Sequence, residues 1–253
     1  DWDLNSSVMK QHQKSYVGNG MIKKHSDPLF GEARDFKEFV YFSQLTQAKA
    51  VGIALVGHRT DFPRCMGTLY WQLNDCWPAP TWSSIDYFNN WKALHYEVQR
   101  DYEDVAILER VEKIGEGKYF FLAEIDEHFT SRISYTISDL KGKTLLNKET
   151  SIHTDGYWLQ EVCLECQEDN YRNQNYCVTF RWDDQHGKQH QRTFFHEGTA
   201  RTKAEVKSIQ LTLSEIDSTA KTAVLEIKNT QFLASCWVSS QRQGVSFSEN
   251  FEH

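Results

Sequence analysis

The chain has 253 residues, 40% hydrophobic and 13% aromatic, with a formal net charge of −7. That composition builds a core and excludes disorder, while the acidic balance leaves no basic surface for a phosphate backbone, so nucleic acid and anionic membrane are both excluded as partners. No run of 18 or more apolar residues occurs, which predicts no bilayer span, and Asp1-Trp2-Asp3 lacks the regions of a signal peptide, as in an internal piece of a longer protein.

In chain order, the first predicted helix runs from Asp35 to about Gly57. Asp35 caps it, Glu38 follows three residues later as in a capping box, and Phe39, Phe42, Leu45, Ala48, Val51 and Leu55 recur at spacings of three and four. After a break at Pro63, residues 66–73 read as a strand with Gly67, Leu69 and Trp71 on one face and Thr68, Tyr70 and Gln72 on the other. Turn chemistry at Asn74-Asp75 and Pro78 ends it, so a large aromatic stands at the strand's C-terminal end. A second helix from about Asn89 to Tyr102 places Trp91, Leu94, Val98 and Tyr102 on one stripe. Helix, strand, turn and helix make an α/β unit, and its single central strand needs neighbours on both edges.

Beyond Asp104 the texture turns to short alternating runs. Ile133, Tyr135 and Ile137 precede an Asp139…Gly142 turn, and Tyr176, Val178, Phe180 and Trp182 precede an Asp183…Gly187 turn. These are half-buried antiparallel strands of a sandwich ending near Ala200. The segment Thr202–Thr219 separates this from a third region, in which Ile209, Leu211 and Leu213, then Ala223, Leu225 and Ile227, alternate as in a further sheet.

Six cysteines (65, 76, 163, 166, 177 and 236) are too few and scattered for a disulfide framework and read as mostly free. Cys163-x-x-Cys166 lacks a second ligand pair, so zinc and redox chemistry are unsupported. His12, His25, His58 and His95 form no metal-binding spacing, and no serine-hydrolase, dinucleotide or Walker motif occurs. No cofactor or metal is expected.

Four of the eight tryptophans, Trp71, Trp77, Trp82 and Trp91, fall within residues 71–91 beside Gln72, Asn74, Asp75 and Asp86. Aromatic faces with amides and carboxylates suit a pyranose, which presents C–H bonds on its face and hydroxyls on its edge. The same tryptophans also suit a strand–helix core, the reading preferred for Trp91. Asp75 and Asp86, the only acids in the segment, read as turn residues and not as the two carboxylates of glycoside hydrolysis.

Residues 66–78 (MGTLYWQLNDCWP), 82–87 (WSSIDY) and 91–96 (WKALHY) resemble the C-terminal part of the catalytic barrel in β-mannosidases of glycoside hydrolase family 2. Met9-Lys10-Gln11-His12-Gln13, Gly18-Asn19-Gly20 and the stretch Tyr41, Gln44, Gln47-Ala48 are similar to that family's connection between strands seven and eight. The resemblance implies an α/β then all-β chain: the terminal βα portion of a (β/α)8 TIM barrel over 1–104, an immunoglobulin-like β-sandwich over 105–201, and the truncated start of a second C-terminal sandwich over 202–253. It implies a β-mannoside oligosaccharide as substrate, with Trp71 against the sugar and Asn74, Asp75 and Trp77 shaping the wall. It also implies a partner in the missing N-terminal part of the same protein. The family's acid/base and nucleophile glutamates have no counterpart motif here, so no catalytic residue is carried over and this chain alone is expected to be inactive. Another family 2 specificity, such as β-galactosidase, is the first rival. The other is a non-catalytic carbohydrate-binding or structural sandwich using Tyr157, Trp158 and Trp182, whose aromatics read better as core. Compartment stays open between cytoplasm, periplasm and lysosome.

Overall fold

The computed structural model describes residues 3–113, 116–163, 175–196, 209–229, 236–238 and 246–247. Residues 202–208 of the separating segment, Cys166 and most of the chain past 229 lie outside them; residues 209–217 of that segment are strand and not a connection. Helices come first: α1 (Ser7–His12), α2 (Gly20–Phe30), α3 (Phe36–Arg59) and α4 (Ala93–Asp101). Neither of the first two is among the predicted elements: α1 has six residues, and α2 contains Pro28. The α3 cap is as expected: the Asp35 carboxylate accepts from the Glu38 N–H at 2.8 Å, and Glu38 reaches back to the Arg34 N–H at 2.6 Å.

Two expectations fail locally. Residues 66–73 form no strand, because no neighbouring strand among the described residues supplies the ladder that a strand needs. The second helix starts at Ala93, not Asn89. Lys92 donates its N–H to the Ser84 carbonyl at 2.9 Å, and Trp91 pairs with Ile85 in an isolated antiparallel bridge, so the chain is held extended until the helix begins. Trp91 is therefore off the helical stripe and 39% exposed. No barrel forms among the described residues; 3–104 make a helical layer with an irregular segment.

The sandwich follows expectation more closely. One sheet has the order β1 (Val105–Lys113), β2 (Glu116–Ala123), β5 (Trp158–Val162). The other has the order β4 (Thr144–His153), β3 (Thr130–Asp139), β6 (Tyr176–Asp183), β7 (Gln189–His196), and all pairings are antiparallel. The chain leaves the first sheet after β2, builds the β3–β4 hairpin in the second, returns as β5, and leaves again for β6–β7. Alternation decides the faces: Ile107, Phe121, Ile133, Ile137, Val178 and Phe180 are fully buried between the sheets. Trp182 is buried with them and donates its Nε1–H to the Val105 carbonyl at 3.1 Å. Both predicted turns close on a left-handed glycine, Gly142 and Gly187. In the second, Asp184 and not Asp183 accepts the turn N–H groups of His186 and Lys188. The third region is a hairpin of β8 (Ile209–Asp217) and β9 (Thr222–Asn229), with Leu211 and Leu213 exposed.

The outer face of the first sheet is covered by α3. Val56 packs on Ala106, Leu108 and Leu122, while Leu55 packs with Leu94 and Val98 of α4 and with Tyr70. By length and composition α3 is the one helix among the described residues able to cross a membrane. Here it is wedged between α4 and β1. Arg59, at its last turn, is 7% exposed and joins the layers, donating to the Asp101 and Glu103 carbonyls and pairing with Glu124 at 2.7 Å. Behind it, Arg192 of β7 meets Glu97 at 3.1 Å and Asp101 at 3.0 Å. Burial, with Glu97 adding to it, pushes the Asp101 carboxyl up to about 7 against the pull of Arg192.

The described cysteines are mostly free, as expected, with one exception. Cys65, Cys76, Cys177 and Cys236 are free, but Cys163, at the end of β5, is disulfide-bonded.

Candidate functional site

Residues 66–73 run as irregular chain over the α3–α4 layer, with bends at 71 and 73, and carry the two faces that alternation assigns. Thr68 and Tyr70 point to the helices. His58 Nδ1 lies 2.8 Å from Thr68 Oγ1, Tyr102 donates its hydroxyl to the Thr68 carbonyl at 2.9 Å, and Tyr70 sits in the Leu55–Leu94 cluster. Leu69, Trp71 and Leu73 point away and are 99%, 73% and 56% exposed. The segment therefore carries one anchored face and one open apolar face. The Trp71–Gln72 peptide is cis, as is Phe62–Pro63.

Residues 74–92 return alongside. Asn74 and Ile85 form a parallel bridge, and the Ser84 N–H is shared between the Gln72 and Leu73 carbonyls at 3.0 and 3.1 Å. Two consecutive serines, both fully buried, hold the fold of this loop in opposite directions. Ser83 donates to Asp75 at 2.6 Å, Thr81 donates to the other Asp75 oxygen at 2.6 Å, and Lys92 Nζ stands 2.7 Å from Ser83 Oγ and 3.5 Å from Asp75. Burial lowers the Lys92 pKa below the ordinary lysine value, with Asp75 opposing it. Ser84 Oγ lies 2.9 Å from the Tyr70 hydroxyl, 3.0 Å from His95 Nδ1 and 3.1 Å from the Leu73 carbonyl. Asp86 ties off the next turn by accepting from Asn90 at 2.8 Å.

The four residues proposed to meet a ligand are thus differently placed. Trp71 presents its ring outward. Asn74 lies exposed beside it in sequence, its carbonyl accepting from Gln72 Nε2 at 3.0 Å. The Asp75 side chain is 3% exposed and has both oxygens engaged within the loop. Trp77 is half-buried, with His12 stacked on it at 4.4 Å and the Lys14 ammonium 5.2 Å from its ring centre. His12 also bonds the Pro78 carbonyl, so α1 closes over this corner of the loop. Ser83, Ser84, Thr81 and Lys92 were missed in the sequence, where Ser and Thr beside Pro signal only a turn; Asp75 with a lysine 17 positions on carries no local pattern. The turn reading of Asp75 and Asp86 holds. On the sandwich, Trp182 is in the core and Trp158 packs against it, so neither offers a free platform.

The fold, a helical layer joined to a sandwich, is shared with solved glycosidases. A β-D-mannosidase from Dictyoglomus thermophilum superposes with a TM-score of 0.79 at 24% identity, covering 98% of this chain and 30% of that one. An exo-chitosanase from Amycolatopsis orientalis superposes with a TM-score of 0.67 at 15% identity, covering 90% of this chain and 30% of that one. By sequence the chain is 34% identical to a goat β-mannosidase over 113 residues, 40% of this chain and 13% of that protein. It is 33% identical to a mouse β-mannosidase over 154 residues, 54% of this chain and 17% of that protein. No protein-family profile matches. Over the matched residues the chain is β-mannosidase-like, and the matches span less than a fifth of the goat and mouse proteins and 30% of the two solved structures.

Proposed function

We propose that this chain is the part of a retaining, exo-acting β-mannosidase of glycoside hydrolase family 2 that follows the catalytic carboxylates. In this reading residues 1–104 complete a (β/α)8 barrel with 66–73 as its eighth strand, 105–201 are an immunoglobulin-like sandwich, and 202–253 begin a second. The observation that carries it is the division of faces. Thr68 and Tyr70 are pinned to helices, as this reading requires of the outside of a barrel strand, while Leu69 and Trp71 stand open on the side the reading gives to the lumen. Trp71, at the C-terminal end, meets a terminal mannose. Asn74 borders it, and Asp75 and Trp77 shape the wall through the loop they order.

In the whole enzyme one glutamate attacks the anomeric carbon and another protonates the leaving oxygen, then activates water. The test is hydrolysis of p-nitrophenyl β-mannoside by this polypeptide beside one extended upstream through the barrel. Activity in the extended form alone is expected; activity in the short form overturns the division of labour. A second specificity within the same class has the exo-chitosanase likeness in its favour, and faster release from a β-glucosaminide or β-galactoside selects it.

A further inference from the structure

Trp71 keeps its ring 73% exposed, so its orientation has to come from the backbone on either side, and both sides end on one residue. Before it, the Tyr70 hydroxyl meets Ser84 Oγ; after it, the Gln72 and Leu73 carbonyls accept from the Ser84 N–H. The hydroxyl of Ser84 has a single hydrogen and two lone pairs. Its three neighbours are all satisfied when it donates to the Leu73 carbonyl and accepts from Tyr70 Oη–H and His95 Nδ1–H, and equally when it donates to His95 Nδ1, since the Leu73 carbonyl already accepts from the Ser84 and Ile85 N–H groups. Burial lowers the pKa of His95, in keeping with a neutral ring. His95 is in turn set by α4 and by the edge of Trp91, 4.3 Å between ring centres. Ser84 is fully buried, so no bulk water replaces its hydroxyl.

We propose that Ser84, with Tyr70 and His95 bonded to it, is a positioning residue that sets the angle of the Trp71 ring toward the sugar. The inference rests on the reading of Trp71 as a sugar-contacting residue. Ser84 touches no substrate and acts through the peptide units flanking Trp71.

The test labels the chain with 5-fluorotryptophan and follows the Trp71 fluorine resonance, identified by its loss in Trp71→Phe, with the Trp158 and Trp182 lines as internal references. Ser84→Ala and Tyr70→Phe are expected to shift or broaden the Trp71 line and leave the references in place, and Ser84→Thr, which restores a hydroxyl, is expected to return it. Tyr70→Phe keeps the ring in its apolar cluster, so it decides the matter if Ser84→Ala does not fold. An unmoved Trp71 line in folded Tyr70→Phe overturns the proposal. In the upstream-extended enzyme the same substitution is expected to lower kcat/KM for p-nitrophenyl β-mannoside about tenfold, a modest part of what a 1 Å misplacement can cost. Absence of hydrolysis in every extended form defeats the β-mannosidase reading, and the fluorine result still decides the positioning role.

Discussion

The sandwich strands and residues 66–73 both put side chains on alternate faces, yet the sandwich and the segment 66–92 are held in different ways. In the sandwich each strand's backbone is satisfied by a neighbour, and Phe180, Tyr119 and Phe194 close against one another at ring separations of 5.2 to 6.0 Å. In 66–92 side chains replace the ladder. Tyr102, His58 and Ser84 bind the chain from below, Asp75 and Lys92 bind the loop from within, and the opposite face stays open. Apolar packing secures the first region and buried polar clamps the second, so the two should respond to different substitutions.

The largest effect is expected in the sandwich. Phe180→Ala empties the centre of the inter-sheet core and should cost about 4 kcal/mol in urea unfolding. Asp75→Ala comes next, at about 3 kcal/mol, because it leaves Lys92, Ser83 and Thr81 without their shared acceptor. Asparagine at position 75 should recover part of the loss by keeping an oxygen, and if alanine there were as mild as a surface change the clamp description would fail. A pH experiment probes the joint between the regions. The folded Asp101 carboxyl is raised from 3.8 to about 7, so the native state holds the extra proton between those values, and stability is expected to fall as pH rises through that window. Asp101→Asn should flatten the slope, and a slope of equal size in the variant would assign it elsewhere. The smallest effect belongs to Leu69→Ala, within about 0.5 kcal/mol, since the side chain touches little here. A large loss would mean that the open face is covered in solution.

These differences mirror what could be read from sequence. The sandwich strands were legible because period-two burial and Asp…Gly turns are local signals. The faces of 66–73 were legible for the same reason, since Leu69 and Trp71 do oppose Tyr70. The strand itself was not, because hydrogen-bonding partners are not encoded in the segment that needs them. Ser83 and Ser84 look like turn residues until the fold brings Asp75, Lys92, Tyr70 and His95 to them from 8 to 14 positions away. The bond at Cys163 escaped because spacing alone does not separate a disulfide from free thiols.

The reach of Arg59 bears on where the chain can be cut. Its guanidinium holds two carbonyls at the end of the helical layer and a carboxylate just past β2, and α3 lends Val56 to the sheet's outer face. The border at 104 is therefore a border in sequence and not in cooperativity. Helices expressed without the sandwich keep a buried cation stripped of its counter-ion and an apolar stripe stripped of its cover, so the two halves should melt in a single transition and the helical half should not survive alone.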